Sequence, residues 1–228
     1  MPFRGATCSG RGTTGEGVLR SPLLALMLLA APTASAQSGR EPVVGLPCEG
    51  CEAVFDGIPA RLNSRARIAP GSEPGAPMLV VGKVLDAQGN PEPGIVVYAY
   101  QTNSQGIYPE SPEVPNLETR RQGTLRAWVK TDASGRYAFD TIRPGSYPGE
   151  DIPEHIHFHV LEPGCSTYYV DDIMFTDDPK LTPKQIARIA KDRGGNGIST
   201  PIQHEGVWYV TRDIHLGRNI PGYPACRR

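Results

Sequence analysis

The sequence has little of what marks several common classes of protein. Its 23 basic and 24 acidic residues nearly cancel, and it contains only five histidines and five cysteines for metal or redox chemistry. Proteins that bind nucleic acids or anionic membranes normally carry a basic surplus, so this charge balance indicates neither partner. No low-complexity run or internal repeat is present that would indicate a fibrous or solenoid protein.

Long apolar runs are also lacking. The run PLLALMLLAAP at residues 22–32 is too short to span a bilayer. It follows a basic region with three arginines and precedes ASA at residues 34–36, and this arrangement predicts a secretory signal peptide at residues 1–36, cleaved after about Ala36. A buried or anchored helix is the alternative. We therefore expect a secreted or periplasmic protein without a membrane span.

The remaining 192 residues suit one domain with a sizeable core. The predicted signal peptide removes three basic residues and one acidic residue, which leaves 20 against 23 and a net charge of −3. Residues 37–77 are rich in proline and glycine and predict an irregular N-terminal arm. Residues 78–228 predict a β-rich domain.

Short strand patterns separated by turn residues fill that domain. They are MLVVGKVLD, IVVYAYQTN, TLRAWVKTD, RYAFDTI, EHIHFHVLE, YYVDDIMF and GVWYVTRDIHL. Strands this short, with turns this frequent, predict a mainly β protein, an antiparallel β-sandwich.

One short helix interrupts the strands. Thr182 is a candidate N-cap, and Gln185 would complete a capping box. The stripe of Ile186, Ile189 and Ala190 is predicted to be buried. The glycines at 194–195 are predicted to end the helix.

Four cysteines remain after the predicted signal peptide: Cys48, Cys51, Cys165 and Cys226. An even number in an exported chain predicts structural disulfides, with three connectivities open. A thioredoxin-like redox centre at CEGC and a zinc site are the alternatives. The first lacks a helix beginning at the cysteine pair, and export to an oxidising compartment argues against the second.

The stretch PEHIHFHV at residues 153–160 carries three of the five histidines. His155, His157 and His159 alternate with apolar residues, which predicts a strand with one packable face and one face of imidazoles. Two histidines two positions apart can direct two ring nitrogens to one point. A half-exposed strand face, or a histidine hydrogen-bonded in the core, is the alternative.

Two tyrosines upstream stand in similar turn settings, Tyr108 in VYAYQTNSQGIYPE and Tyr147 in TDASGRYAFDTIRPGSYP. With these motifs in this order, residues 78–179 resemble the intradiol ring-cleavage dioxygenases, the family of the protocatechuate, catechol and hydroxyquinol enzymes. The resemblance is closest to the protocatechuate branch and its secreted relatives. It implies a β-sandwich that holds one non-haem Fe(III) through Tyr108, Tyr147, His155 and His157.

The residue types agree with that implication. A free tyrosine has a pKa near 10, so two tyrosinates at neutral pH need a strong Lewis acid. Two tyrosinates and one hydroxide would cancel the three charges of ferric iron, which allows a nearly neutral buried site. Zinc, the alternative for a histidine pair, normally takes cysteine, histidine and carboxylate ligands.

The resemblance also implies a reaction. A catechol binds through both oxygens and displaces hydroxide and the axial ligand Tyr147, which is the predicted catalytic residue because its phenolate accepts a substrate proton. The ring then opens with O₂ between the two hydroxyl-bearing carbons and gives a muconate-type dicarboxylate.

The sequence departs from the family at two positions behind the ligands. Ile152 stands where the family has an arginine, three residues before the first histidine, and Asp172 corresponds to a family glutamine. Losing a positioned cation predicts weaker stabilisation of negative charge on the substrate, by roughly 10²–10³ in rate. Acidic residues at 150, 151 and 154 predict a neutral diol as substrate. His159 has no matching role and is expected behind the ligands or exposed.

The sequence thus predicts an exported ferric dioxygenase that acts on a small aromatic diol and O₂. A transthyretin-like β-sandwich binding module with a vestigial or structural metal site is the alternative. A homo-oligomer is compatible with the sequence, which does not indicate an oligomeric state.

Overall fold

Two β-sheets share one hydrophobic core in the computed structural model. The structure describes residues 40–45, 50–110, 114, 116–224 and 226, all within one unit that spans residues 40–228. The predicted signal peptide at 1–36 and Cys48 lie outside the described residues. No helix in the described part of the chain is long and apolar enough to cross a membrane.

The first sheet has the strand order β1-β5-β2-β10-β9, with β11 beside β2. Its strands are β1 (Arg65–Arg67), β2 (Pro77–Leu85), β5 (Arg136–Ile142), β9 (Ile202–His204), β10 (Val207–Thr211) and β11 (Ile214–His215). The second sheet has the order β4-β3-β6-β7-β8. Its strands are β3 (Val96–Gln101), β4 (Arg126–Lys130), β6 (His155–Glu162), β7 (Ser166–Phe175) and β8 (Ile198–Ser199).

The predicted mainly β fold is confirmed, but the sheets are mixed. β1 pairs parallel to β5, both β10 and β11 pair parallel to β2, and β8 pairs parallel to β7. The last predicted strand is divided into β10 and β11 at Arg212 and Asp213. At this break, the backbone N–H of Lys83 donates to Asp213 Oδ1 at 2.8 Å. A Cβ atom on Gly82 would lie 1.9 Å from the Arg212 carbonyl oxygen, so this close approach requires glycine.

The second sheet is buried on both faces along β3, where all six residues are buried. Val97 and Ala99 belong to the core between the sheets. Tyr98 and Tyr100 pack on the other face in a second cluster with Val54, which lies in the 3-10 helix Cys51–Phe55. The described part of the N-terminal arm therefore contributes this helix and β1 to the fold, while the boundary between arm and domain stays a prediction.

The predicted helix forms as α2, Pro183–Ile189, with the Thr182 hydroxyl accepting from the Gln185 backbone N–H at 3.3 Å. The predicted buried stripe is wrong, because Ala190 is exposed and Gln185 is the buried residue. The Gln185 side chain donates to the Asp151 carbonyl at 2.6 Å instead of closing a capping box. The helix ends at Ile189, before the glycines that were predicted to end it. A further short helix, α1 (Leu117–Arg121), was not predicted.

Three of the four predicted disulfide cysteines fall within the described residues. Cys165 forms a disulfide with Cys226, with Cα atoms 5.7 Å apart. Cys51 is also disulfide-bonded. The bond between Cys165 and Cys226 ties the C-terminal segment to the turn between β6 and β7.

Candidate metal centre

Strand β6 carries its side chains in the predicted alternation. Ile156, Phe158 and Val160 are fully buried in the core between the sheets. The histidines lie on the opposite face, where His157 pairs with Tyr100 of β3 and stacks on its ring with centroids 4.4 Å apart. The strand therefore fixes the imidazoles through a well-packed apolar face.

Tyr108 and Tyr147 come from two loops that contact each other. The Gly145 N–H donates to the Asn103 carbonyl at 2.8 Å, and a Cβ atom on Gly106 would lie 1.9 Å from the Ser146 carbonyl oxygen. Gly106 also has a φ of +78°, which glycine adopts at little cost. This glycine therefore lets the two loops approach closely enough to bring the two phenols together.

The four predicted ligands converge on one point. The phenol oxygens of Tyr108 and Tyr147 are 2.5 Å apart, and the Nε2 atoms of His155 and His157 are 3.1 Å apart. Tyr108 Oη lies 2.9 Å from His157 Nε2, and Tyr147 Oη lies 3.1 Å from His155 Nε2 and 3.4 Å from His157 Nε2. Two oxygen and two nitrogen donors thus surround a space of the size of one metal ion.

In both histidines, the Nδ1 atom that faces away from the four converging donors lies beside a hydrogen-bond acceptor. His155 Nδ1 lies 2.7 Å from the Pro153 carbonyl oxygen, and His157 Nδ1 lies 3.0 Å from Asp172 Oδ1. A carbonyl and a carboxylate can only accept, so each Nδ1 donates its proton and each Nε2 keeps its lone pair for the centre. Asp172 therefore lies behind His157 and is not one of the converging donors.

A β-bulge places this carboxylate. The pairing of β6 with β7 shifts between Ile156 and Phe158, so Asp171 and Asp172 both stand opposite His157. Bulges commonly re-aim side chains next to active sites. Here the bulge brings two adjacent carboxylates to the same side of the sheet, where a regular strand would have separated them.

The protonation states of the cluster depend on its burial. Burial raises the pKa of both phenols above the ordinary value, and the neighbouring Tyr147 raises the pKa of Tyr108 further. Burial, together with the charge of His157, lowers the pKa of His155. Without a bound cation, both phenols and His155 are therefore neutral at neutral pH. A cation must release the phenol protons when it binds.

The donor set fits a hard, highly charged cation. Two phenolates offset two positive charges, and imidazole nitrogen is a suitable ligand for iron. No cysteine lies among the four donors, which disfavours a soft metal. The residues present therefore fit Fe(III), with Tyr108, Tyr147, His155 and His157 as the candidate ligands.

Two cavities meet at this cluster, one of about 330 Å³ and one of about 430 Å³. Tyr108 lines the first cavity, whereas Ile152 and His155 line the second. Four residues line both cavities: Tyr147, His157, Tyr169 and Asp172. Of the two candidate ligand phenols, Tyr147 is thus the one that lines both cavities.

His159 lies deeper than the other two histidines, with only 2% of its surface exposed. Burial lowers its pKa to about 3, so the imidazole is neutral at neutral pH. Its Nδ1 atom has no hydrogen-bond partner among the described residues. His159 lines the first cavity and does not join the four converging donors.

The acidic residues from which a neutral substrate was predicted do not form the walls of these cavities. None of the residues at 150, 151 and 154 is among the described residues that line either cavity. Glu154 is ion-paired with Arg143 at 2.7 Å, and Asp151 accepts from Gln185. Glu150 nevertheless lies beside Tyr147, where its charge contributes to raising the pKa of that phenol, so the expectation of a neutral substrate stays a prediction.

Comparisons with known proteins identify the family of this chain. A family model described as dioxygenase matches residues 55–196, more than half of the chain. The chain is 32% identical over 147 residues to the protocatechuate 3,4-dioxygenase beta chain of Burkholderia cepacia, covering 60% of this chain and 62% of that one. It is 34% identical over 104 residues to catechol 1,2-dioxygenase of Candida albicans, covering 39% of this chain and 33% of that one. The chain belongs to the intradiol ring-cleavage dioxygenase family.

Solved structures show the same fold. Catechol 1,2-dioxygenase from Acinetobacter sp. ADP1 superposes with a TM-score of 0.57 at 22% identity, covering 75% of this chain and 63% of that chain. The dioxygenase domain from Streptomyces sp. SirexAA-E superposes with a TM-score of 0.53 at 22% identity, covering 71% of this chain and 94% of that chain. The matches to the two sequence relatives span less than two thirds of their length.

Sequence reasoning missed several residues of this intradiol-family site. Tyr169 and Arg193 line the second cavity. Tyr169 lies after HIHF, the last motif that carries the resemblance, and Arg193 lies beyond residue 179, where the resemblance ends. The bulge in β7 has no local signature in YYVDDIMF. The glycine-rich stretch after α2 was the available signal, because such glycines often mark a close backbone approach.

Proposed function

We propose that this protein is an exported non-haem Fe(III) dioxygenase that cleaves the ring of a catechol-like diol with O₂ and releases a muconate-type dicarboxylate. The observation that carries the proposal is the convergence of two phenol oxygens and two imidazole nitrogens within 2.5–3.4 Å of each other. Membership of the intradiol family supports the reaction. The named relatives act, by their names, on protocatechuate and catechol.

The four donors would hold the metal, and the outer groups would hold the donors. Pro153 and Asp172 fix the two imidazoles, and the contact between the loops at Gly106 and Ser146 fixes the two phenols. Bound Fe(III) would supply Lewis acidity that lowers the pKa of the diol and withdraws charge from it. The protein's part is to bind the diol, orient it and move its protons.

Tyr147 is the candidate base. It lines both cavities, so a diol bound in either would lie beside it. Burial raises the pKa of this phenol, so a Tyr147 phenolate that is not bound to a cation accepts a proton readily at neutral pH. We assign the acceptance of one diol proton to Tyr147 Oη, which lies beside His155 Nε2 at 3.1 Å.

The test is a visible absorption spectrum of the purified protein after aerobic loading with iron, before and after catechol is added. Tyrosinate bound to Fe(III) gives a broad charge-transfer band that zinc does not give. We expect a coloured protein whose band shifts with catechol, and oxygen uptake that follows. A protein that stays colourless would overturn the proposal and favour a binding module.

Two tyrosine variants test whether Tyr108 is a source of the charge-transfer band. Tyr108→Phe removes one of the converging oxygens and should weaken or shift the band, with loss of turnover. Tyr209→Phe is the matched control, because Tyr209 is an exposed phenol on β10 of the first sheet. If Tyr108→Phe keeps the iron content, colour and turnover of the parent, the ligand assignment is wrong.

Export has its own readout. Expression of the full chain with its first 36 residues should yield a secreted or periplasmic product that begins near Gln37, as read by N-terminal sequencing. A product that retains Met1 and stays inside the cell would refute this part of the proposal.

A further inference from the structure

Arg193 lies on the wall of the second cavity, together with Tyr147, His155 and His157. Its side chain is 12% exposed. The Nε atom donates to Asp171 Oδ1 at 2.8 Å, and the guanidinium carbon lies 4.0 Å from the centroid of the Tyr169 ring. The side chain is thus held by one hydrogen bond at its base and one aromatic face along its plane.

The two terminal nitrogens of this guanidinium have no hydrogen-bond partner among the described residues. A cation that is largely withdrawn from water is costly unless it is paired, and Asp171 satisfies Arg193 at a single nitrogen. The same carboxylate also accepts from the Lys191 backbone N–H at 2.6 Å. A planar fork of N–H groups at a cavity wall is the geometry with which arginine binds anionic oxygen.

The backbone behind Arg193 is fixed by a second arginine. Arg212 is 1% exposed and donates to the carbonyl oxygens of Asp171, Arg193 and Gly194, at 3.0, 3.3 and 3.1 Å. The Asp171 N–H also donates to the Arg193 carbonyl at 2.9 Å. Arg193 is therefore presented by a rigid segment, and rigid donors need little reorganisation when charge develops.

The other side chains around the second cavity are less suited than Arg193 to bind an anionic oxygen. Arg188 and Lys191 line the same cavity but are exposed to solvent. Asp172 is bound to His157, and Ile152 offers only an apolar surface. A diol that has lost its protons is anionic. Among the described residues that line the second cavity, Arg193 is the one arginine that is largely shielded from solvent.

We propose that Arg193 binds an anionic oxygen of the bound diol and stabilises the negative charge that develops on it during ring cleavage. This inference rests on the proposed function. Arg193 transfers no proton and acts as a fixed cation in contact with the substrate. It supplies from the segment after α2 the positive charge that Ile152 cannot supply.

The experiment compares neutral variants with a charge-retaining one in the iron-loaded protein. Arg193→Met and Arg193→Gln should lower kcat by roughly 10²-fold, as removal of a positioned donor does in comparable sites, while the colour of the resting protein stays that of the parent. Arg193→Lys should retain part of the rate. Arg65→Met is the matched control, because Arg65 also donates through Nε to an aspartate, Asp140 at 2.8 Å, but lies in the first sheet.

Two further readouts separate contact with substrate from a structural role. Guanidinium ion added to the Arg193→Met protein should raise its kcat at least tenfold. Ile152→Arg combined with Arg193→Met should also have a kcat at least tenfold above that of Arg193→Met alone. Binding of 4-nitrocatechol, followed by its own absorbance without turnover, should weaken in Arg193→Met and not in Arg65→Met. If Arg193 had only a structural role, the rate would not be rescued, and the binding of 4-nitrocatechol would not weaken selectively.

The outcomes distinguish this inference from the proposed function. A parent protein that is coloured and active, with Arg193→Met and Arg193→Gln within twofold of it in kcat and in 4-nitrocatechol binding, overturns the role of Arg193 alone. A parent that neither colours with iron nor binds 4-nitrocatechol overturns both. Loss of kcat and binding with rescue by guanidinium supports both.

Discussion

Replacing Asp172 tests whether the centre depends on the group behind His157. Asp172 Oδ1 accepts from His157 Nδ1 at 3.0 Å. Burial raises the pKa of this carboxyl, but attraction to His157 and their hydrogen bond outweigh burial, so its net pKa lies below the ordinary value. The residue is therefore an ionised carboxylate at neutral pH, and it makes His157 a stronger ligand.

The size of the effect follows from the kind of bond that is lost. Removing such a carboxylate partner typically lowers metal affinity by about 10–100-fold, or about 1.4–2.7 kcal/mol. Asp172→Asn keeps an acceptor oxygen and loses the charge, so we expect about tenfold. Asp172→Leu loses both, and we expect about 100-fold.

Competition with an iron chelator, read by the charge-transfer band, measures the affinity. Asp171→Asn is the matched control, because Asp171 lies beside Asp172 in the same bulge but binds Arg193 and the Lys191 N–H. Its iron affinity should stay within about twofold of the parent. Equal iron affinity in all four proteins would show that the bond seen at His157 Nδ1 does not tune the centre.

Three further predictions concern stability, each measured by urea unfolding. Gly82→Ala should destabilise the fold by about 1–3 kcal/mol, because its Cβ would lie 1.9 Å from the Arg212 carbonyl oxygen; an unchanged midpoint would contradict this close approach. Cys226→Ser should cost about 4 kcal/mol, because the disulfide closes a loop with a sequence separation of 61, and reductant should lower the stability of the parent by more than that of the variant, which keeps the disulfide of Cys51. The hydrogen bond from Arg65 lowers the pKa of Asp140, and an exposed pair of this kind stabilises the fold by about 0.2–1 kcal/mol. This stabilisation is present above the unfolded pKa of about 3.9 and is lost as pH falls through the lower folded pKa. Asp140→Asn should therefore be less stable than the parent at pH 6, and the two proteins should have equal stability in acid.

Local patterns were enough to predict much of the second sheet. HIHFHV alternates with period two, and its apolar residues do face the core while its imidazoles share the other face. The tyrosines were found by motif rather than by geometry, since Tyr108 lies 49 residues from His157 in the sequence. Their convergence depends on the contact between Gly106 and Ser146, which no local pattern contains.

The elements that were missed depend on partners far along the chain. β1 is three residues long and pairs with β5, so its short sequence alone carries no strand signal. Gln185 is buried because its side chain meets Asp151, whereas Ile186 and Ile189 of the expected stripe are only half-buried. In the sequence, Asp171 and Asp172 are an ordinary pair of neighbouring polar residues. Only the bulge, which no local pattern predicts, places both opposite one histidine.

The parallel pairing of β2 with β10 has a consequence for how the chain folds. Met78 pairs with Trp208, 130 positions later, whereas its other neighbour, Thr141, lies much closer in sequence. One edge of β2 must therefore wait until β10 has been synthesised, and closing so long a connection makes this a slow step. Arg212, which follows β10 directly, arrives with the same segment and fixes the backbone of Arg193. The docking of β10 thus also fixes the backbone of a residue on the wall of the second cavity, so binding in that cavity should appear only after β10 has docked.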